Sequence, residues 1–271
     1  MENIERSILV PYDFTALSDN AIQHGIQFAK ILNIDLVLLH IIRNLKDEIE
    51  ASEKLTRVAE ETHKKFNFRP KIMVRPGIVS TAINQIANNL NSVLVIMKTS
   101  GPKGIQKYTG SRAIKVMYGS KIPFIVVQGP PVGTTIKKVI FPIDFRYENK
   151  EKLKWINFLA SIYKPSVYLF RPNTSDYRIR NNLKFATRFL EGRNIEFELV
   201  HSRGKKAYVD EALEFSNFLQ ADLIIIMLSR SITTLNILLG LKDQKYISNE
   251  YKIPVMCLNA RTDLRKFGGF R

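Results

Sequence analysis

Apolar residues along this chain gather into short, nearly unbroken runs, and stretches of helical spacing separate the runs. The segment from Asp35 to Ile42 is apolar at almost every position, as expected of a strand buried on both faces. Similar runs predict strands near 7–11, 35–42, 70–75, 92–98 and 123–127. Between them Ala21, Gly25, Ala29 and Leu32 recur at helical spacing, as do Ala51, Leu55, Val58, Thr62 and Phe66, then Ala82, Ile86 and Leu90. A short helix is expected from Ser111 to about Tyr118. Alternation of strands and helices in this manner predicts βαβ units around a parallel sheet.

The pattern then repeats. Ile8–Phe14 is matched by Val139–Phe145, 131 residues later, and Ile122–Val127 by Ile253–Leu258 at the same spacing. Val95–Met97 returns as Ile225–Met227, 130 residues later. A period this long is that of a whole domain rather than of a solenoid. In the second copy strands are expected near 138–143, 166–170, 195–200, 222–228 and 254–258, and helices near 149–162, 177–192, 208–219 and 241–251. The segment from Gln128 to Thr135 is rich in Gly and Pro and reads as a linker. The domains are therefore expected at 1–130 and 136–260, followed by a basic tail at 261–271. The fold class is α/β, as two tandem doubly wound domains.

Composition narrows the function classes. At 45% apolar residues both halves can build cores. No apolar run approaches the roughly 20 residues that span a bilayer, and Glu2, Glu5 and Arg6 do not open a signal peptide. A single cysteine, Cys257, lies in an apolar run and is expected to be a buried thiol in a reducing cytoplasm. The net charge of +16 divides as +6 to Gly133 and +10 beyond it. Such an excess attracts polyanions without selectivity. No Lys/Arg block or nucleic-acid motif accompanies it, so nucleic acid is not the expected partner. His24, His40, His63 and His201 have no metal-ligand spacing. His40, in an apolar strand, reads as a core histidine, and Trp155 as a core residue.

Candidate chemistry sits past the carboxyl ends of the strands, where ligands bind in open parallel sheets. Asp13 follows the first strand. Met97 and Lys98 end the fourth, and the chain continues through Gly101, Gly104 and Gly110 to a helix start at Ser111 and Arg112. Free backbone N–H groups at such a start favour an anion, and glycines permit close approach. The same features are those of a surface loop with a simple helix cap. Asp13 can equally be a turn residue bonded to a nearby N–H.

Ile8–Phe14 with Ser18 and Ala21, Val74–Gly77, and the stretch Val95–Val127 together resemble the universal stress protein (UspA-like) family. The likeness covers nearly all of 4–128 and, more loosely, 136–259. It implies a strand order of 3-2-1-4-5 in each half and a pseudo-dimer formed by the two halves through their final strands. In the ATP-binding branch an Asp after strand 1 and backbone after strand 2 hold the adenosine, and a loop G-x-x-G-x9-G-S/T wraps the ribose and phosphates. The resemblance thus implies a site of Pro11, Tyr12, Asp13, Ile41, Ile42, Met97, Lys98, Gly101, Gly104, Gly110, Ser111 and Arg112 for ATP or a related adenine nucleotide, with Mg2+ an admissible companion. Two departures stand out. Lys98 replaces the first glycine, where it either obstructs the ribose or reaches a phosphate, and the spacer from Pro102 to Thr109 is one residue short.

The second copy keeps Asp144, but its loop retains only Gly240 of the three glycines, followed by Leu241. It is expected to keep the fold and to lack the nucleotide, with Asp144 a turn residue. The expected function is a stress-associated binding protein with one adenine nucleotide site in the first half, and not an enzyme. The alternative is a protein-interaction scaffold with both sites degenerate. A homodimer is compatible with the resemblance, and no membrane partner is expected.

Overall fold

The computed structural model describes residues 6–99, 116–117, 120–145, 149–228 and 236–259, apart from the side chains at 149 and 236–241. The chain divides into two compact units, Met1–Thr134 and Thr135–Arg271. In the first, β1 (Ser7–Pro11), α1 (Ala16–Leu32), β2 (Asp35–Ile42), α2 (Glu48–Phe66), β3 (Lys71–Pro76), α3 (Val79–Asn89), β4 (Ser92–Lys98) and β5 (Phe124–Val127) follow in order. Its strands are parallel and lie in the order β3-β2-β1-β4-β5. The second comprises β6 (Lys138–Pro142), α4 (Asn149–Tyr163), β7 (Ser166–Arg171), α5 (Tyr177–Glu191), β8 (Phe197–His201), α6 (Tyr208–Phe218), β9 (Leu223–Met227), α7 (Asn236–Ile247) and β10 (Val255–Leu258). Its strands are again parallel, in the order β8-β7-β6-β9-β10. The fold class and strand order are those expected from the sequence.

Each sheet is apolar through its centre. Ile8, Leu9, Val10, Leu38, Val95 and Ile96 are fully buried in the first unit, and Val139, Ile140, Phe141, Ile224 and Ile225 in the second. Two helices of the first unit end where asparagine supplies a left-handed residue. Asn33 (φ 51°) closes α1 through its N–H to Ala29 O, and Asn67 (φ 48°) closes α2 through His63 O. The last helix of the second unit differs from the expected 241–251. It begins earlier and stops at Ile247, because the buried Asn249 builds a turn instead. The Asn249 side chain donates to Tyr246 O and Ile253 O, both at 2.9 Å, and accepts from Ile253 N at 3.0 Å.

The Gly/Pro segment after β5 is anchored back on its own unit. His24, buried on α1, sets Nε2 3.1 Å from Gly129 O, and Gln27 Nε2 donates to Gly133 O. Facing a carbonyl, Nε2 must carry the proton of a neutral ring. Burial pulls the His24 pKa from 6.5 down to about 4, although the Gly129 contact works in the opposite direction. The unfolded chain therefore binds a proton through this window that the folded one does not. Stability from this group is complete above pH 6.5 and declines as the pH falls toward 4, by up to about 3 kcal/mol. Urea unfolding across pH 7 to 4 is expected to show that loss. A His24→Gln variant, which keeps a neutral donor, is expected to flatten it; parallel profiles for the two proteins would contradict the assignment.

Candidate functional site

Between β1 and β4 the winding of the first sheet reverses, and open α/β sheets bind ligands at the carboxyl ends of such neighbours. Asp13 leaves β1 there. Its Oδ1 accepts from Ser18 Oγ at 2.6 Å, Thr15 Oγ1 at 2.8 Å and Thr15 N at 3.3 Å. Thr15 is the N-cap of α1, in extended backbone conformation, and Ser18 is buried in the helix's first turn. The start of α1 thus fixes the carboxylate. From the end of β4, Lys98 Nζ reaches Asp13 Oδ2 at 2.8 Å and also donates to Thr15 Oγ1. The Lys98 side chain is 14% exposed and that of Asp13 53%. Burial would raise the Asp13 pKa, but hydrogen bonds from Lys98, Ser18 and Thr15 outweigh it and hold the carboxyl below its ordinary value.

Aromatic groups form the neighbouring wall. Phe14 adopts a left-handed conformation (φ 60°), which costs about 1–2 kcal/mol for a residue with a β-carbon. Its ring lies 4.5 Å from that of His40 and meets Tyr12 edge-on at 5.4 Å. His40 is half-buried rather than a core residue, since it stands near the open end of β2, and Nδ1 is 2.7 Å from Tyr12 O. Tyr12 donates its hydroxyl to Asp19 Oδ1 at 2.6 Å; burial first, and then this carboxylate, raise its pKa. Phe14 and His40 belong to the site's surroundings, although the sequence placed His40 in the core and assigned Phe14 no part. The adjacency of β1 and β2 was the available signal.

The remaining expected residues are distributed as follows. Pro11 ends β1, half-buried, and Met97 is buried within β4. Ile41 is half-buried and Ile42 buried, with Ile42 O accepting from Gly77 N at 3.0 Å. Gly77 holds φ 153°, and a β-carbon there would lie 3.2 Å from Ala82 Cβ. Gly101, Gly104, Gly110, Ser111 and Arg112 lie outside the described residues, as does the expected short helix over most of its length. Thr99, which leads into that segment, is 1% exposed, and its hydroxyl has no hydrogen-bond partner among the described residues.

The corresponding position in the second unit is built differently. Lys152, in the place of Ala21, is 1% exposed; its Nζ donates to Pro142 O at 2.5 Å and lies 4.1 Å from the centre of the Phe141 ring. Tyr208, the first residue of α6, turns its hydroxyl toward Phe170 O at 2.6 Å and Ile143 O at 2.9 Å. Val79, the first residue of α3 in the first unit, is instead 48% exposed. Leu228 occupies the place of Lys98 and is buried. Asp144 O accepts from Asn182 Nδ2 at 2.8 Å. Lysine and tyrosine side chains therefore bond the carbonyls of Pro142 and Ile143 at the end of β6, whereas in the first unit the counterpart of Lys152 is the small, buried Ala21 and Asp13 is half exposed.

A doubly wound parallel sheet with an acid and a base facing each other at its switch point defines the first unit as an open α/β domain. Residues 5–128 match the Universal stress protein family, and the first unit belongs to that family. A universal stress protein of Methanocaldococcus jannaschii is 25% identical over 149 residues, which are 48% of this chain and 85% of the relative. Among solved structures, a universal stress protein from Archaeoglobus fulgidus superposes with a TM-score of 0.77 at 17% identity, covering 95% of this chain and 97% of the other. A functionally unknown protein from Pseudomonas aeruginosa gives 0.67 at 15% identity, with 95% and 93% covered. These two likenesses are of fold, and they extend over both units.

Proposed function

We propose that this chain is a stress-associated binding protein of the cytoplasm that takes one ATP, or a related adenine nucleotide, in its first unit and none in its second. The observation that carries the reading is the contrast at the strand ends. Asp13 is held on one edge by Thr15 and Ser18 and is half exposed, whereas in the second unit the buried Lys152 and the Tyr208 hydroxyl bond the carbonyls at the end of β6. Asp13 would accept a hydrogen bond from the nucleoside, and Lys98 would face a phosphate. The glycines from Gly101 to Gly110 fit a backbone cradle by their sequence. Regulation is by binding, not turnover, and Mg2+ would accompany the phosphates. No helix among the described residues is long and apolar enough to cross a membrane.

Calorimetry with ATP is expected to give a stoichiometry near one per chain. Asp13→Ala is expected to weaken binding roughly 10- to 100-fold, the loss of a charged hydrogen bond of about 1–3 kcal/mol. Two equivalent sites, or unchanged affinity in the variant, would refute this assignment. The alternative of a nucleotide-free interaction scaffold draws on the same Lys98–Asp13 pair, which already occupies the acceptor. Failure of ATP to bind at any accessible concentration would favour it.

A further inference from the structure

We propose that Lys98 makes the first-unit site selective for phosphorylated ligands, by covering Asp13 until an anion draws it away. The inference rests on the nucleotide reading above and adds a rule of selection to it. An ionised carboxylate offers about four lone-pair positions. Oδ1 of Asp13 receives Ser18 Oγ, Thr15 Oγ1 and Thr15 N, and Oδ2 receives Lys98 Nζ. An incoming hydroxyl or amine that donates to Asp13 therefore meets a crowded Oδ1 and competes with Lys98 at Oδ2, or displaces one of the groups on Oδ1.

They are not equally movable. Thr15 caps α1 and Ser18 is buried in its first turn, with Ser18 N bonded to Thr15 O at 2.8 Å. Removing either from Asp13 would unwind the start of a helix. Lys98 comes from a different element, on a flexible four-carbon stem. It is the donor that yields. Once displaced, its ammonium has lost a carboxylate at 2.8 Å and the Thr15 hydroxyl. A neutral nucleoside replaces the donor to Asp13 but supplies nothing to Lys98. A nucleotide supplies both: a donor for the carboxylate and an anion for the ammonium. The pair thus acts as a two-part test of the ligand, and a molecule that satisfies one part alone binds weakly. Thr99 follows Lys98 directly, and its buried hydroxyl has no partner among the described residues.

The test compares ATP and adenosine by calorimetry against the full chain and two variants, Lys98→Met and Lys98→Arg. Methionine preserves most of the stem, and thermal melting checks that each variant is folded. The parent is expected to prefer ATP over adenosine by about 100-fold or more. In Lys98→Met the gap is expected to narrow from both sides, adenosine binding about tenfold tighter and ATP about tenfold weaker. Lys98→Arg is expected to retain the preference. An unchanged ATP-to-adenosine ratio in Lys98→Met would overturn the proposal. Tighter ATP binding in that variant would also overturn it, because Lys98 would then be an obstruction. If neither compound binds the parent or either variant, the nucleotide reading itself falls, and this inference with it.

Discussion

Lys152→Ala is expected to destabilise the second unit by about 4 kcal/mol. The side chain is 1% exposed, so truncation leaves a cavity the length of a lysine stem beneath α4. Large-to-small changes at buried sites cost about 2–5 kcal/mol. The change also deprives Pro142 O of its donor at 2.5 Å and the Phe141 ring of the group stacked 4.1 Å away, and an orphaned buried acceptor adds about 1–3 kcal/mol. Relaxation around the hole recovers part of the sum. Trp155, the single tryptophan, lies one turn further along α4, with Phe158 5.5 Å away, and reports on this unit by fluorescence. The urea midpoint of that signal should fall in proportion. A midpoint within experimental error of the parent would show that the lysine is not a structural filler. Nucleotide stoichiometry should stay near one, since Tyr208 and Leu228 remain.

Gly25→Val is expected to cost the first unit about 3 kcal/mol, without touching any residue of the proposed site. α1 lies so close to the sheet at Gly25 that a β-carbon there would stand 2.7 Å from Leu36 Cδ1 and 3.2 Å from Val10 Cγ2. Leu36 is 1% exposed and Val10 fully buried, so neither has free space into which to retreat. Overpacking of a tight core costs about 1–3 kcal/mol and occasionally more, and valine brings two further methyl groups to the contact. Gly25→Ala should be much milder, because the gain of about 1 kcal/mol in helix propensity offsets a small shift of Leu36. Chemical unfolding followed by far-ultraviolet circular dichroism separates the three proteins. Equal midpoints for glycine and valine would mean that the helix rides further from the sheet than described.

The sequence made β2 plain because both of its faces are covered: Leu36, Val37, Leu38 and Leu39 are all buried. β3 and β8 were harder to bound. They lie at the ends of their strand orders, and most of their residues are exposed or half-buried. Their placement depended on flanking turn residues, so Lys71–Pro76 and Phe197–His201 differ by one or two positions from the expected 70–75 and 195–200. Asp13 was legible as a candidate from its place after β1. The behaviour of Lys98 was not, because both expectations pointed it at a ligand, whereas the nearest unlike charge is Asp13 across the β1–β4 gap. That gap is a tertiary distance between residues 85 apart in sequence. Lys152 passed as an ordinary polar position in the helical pattern of 149–162. Aligning the two halves, which sets it against Ala21, was the signal that could have revealed it.

The exchange of Ala21 for Lys152 also bears on how the two copies of a duplicated domain can drift. Ala21 and Lys152 are both buried, so the exchange sets a long side chain into the core where a small one stood, and Tyr208 and Leu228 lie at the same strand ends. Reverting any one of them alone leaves a hole that the others do not fill. A path back to the packing of the first unit therefore descends through less stable intermediates. Descendants of this chain can diversify the first half by single substitutions, but the second is held in its present role by a ratchet of its own packing.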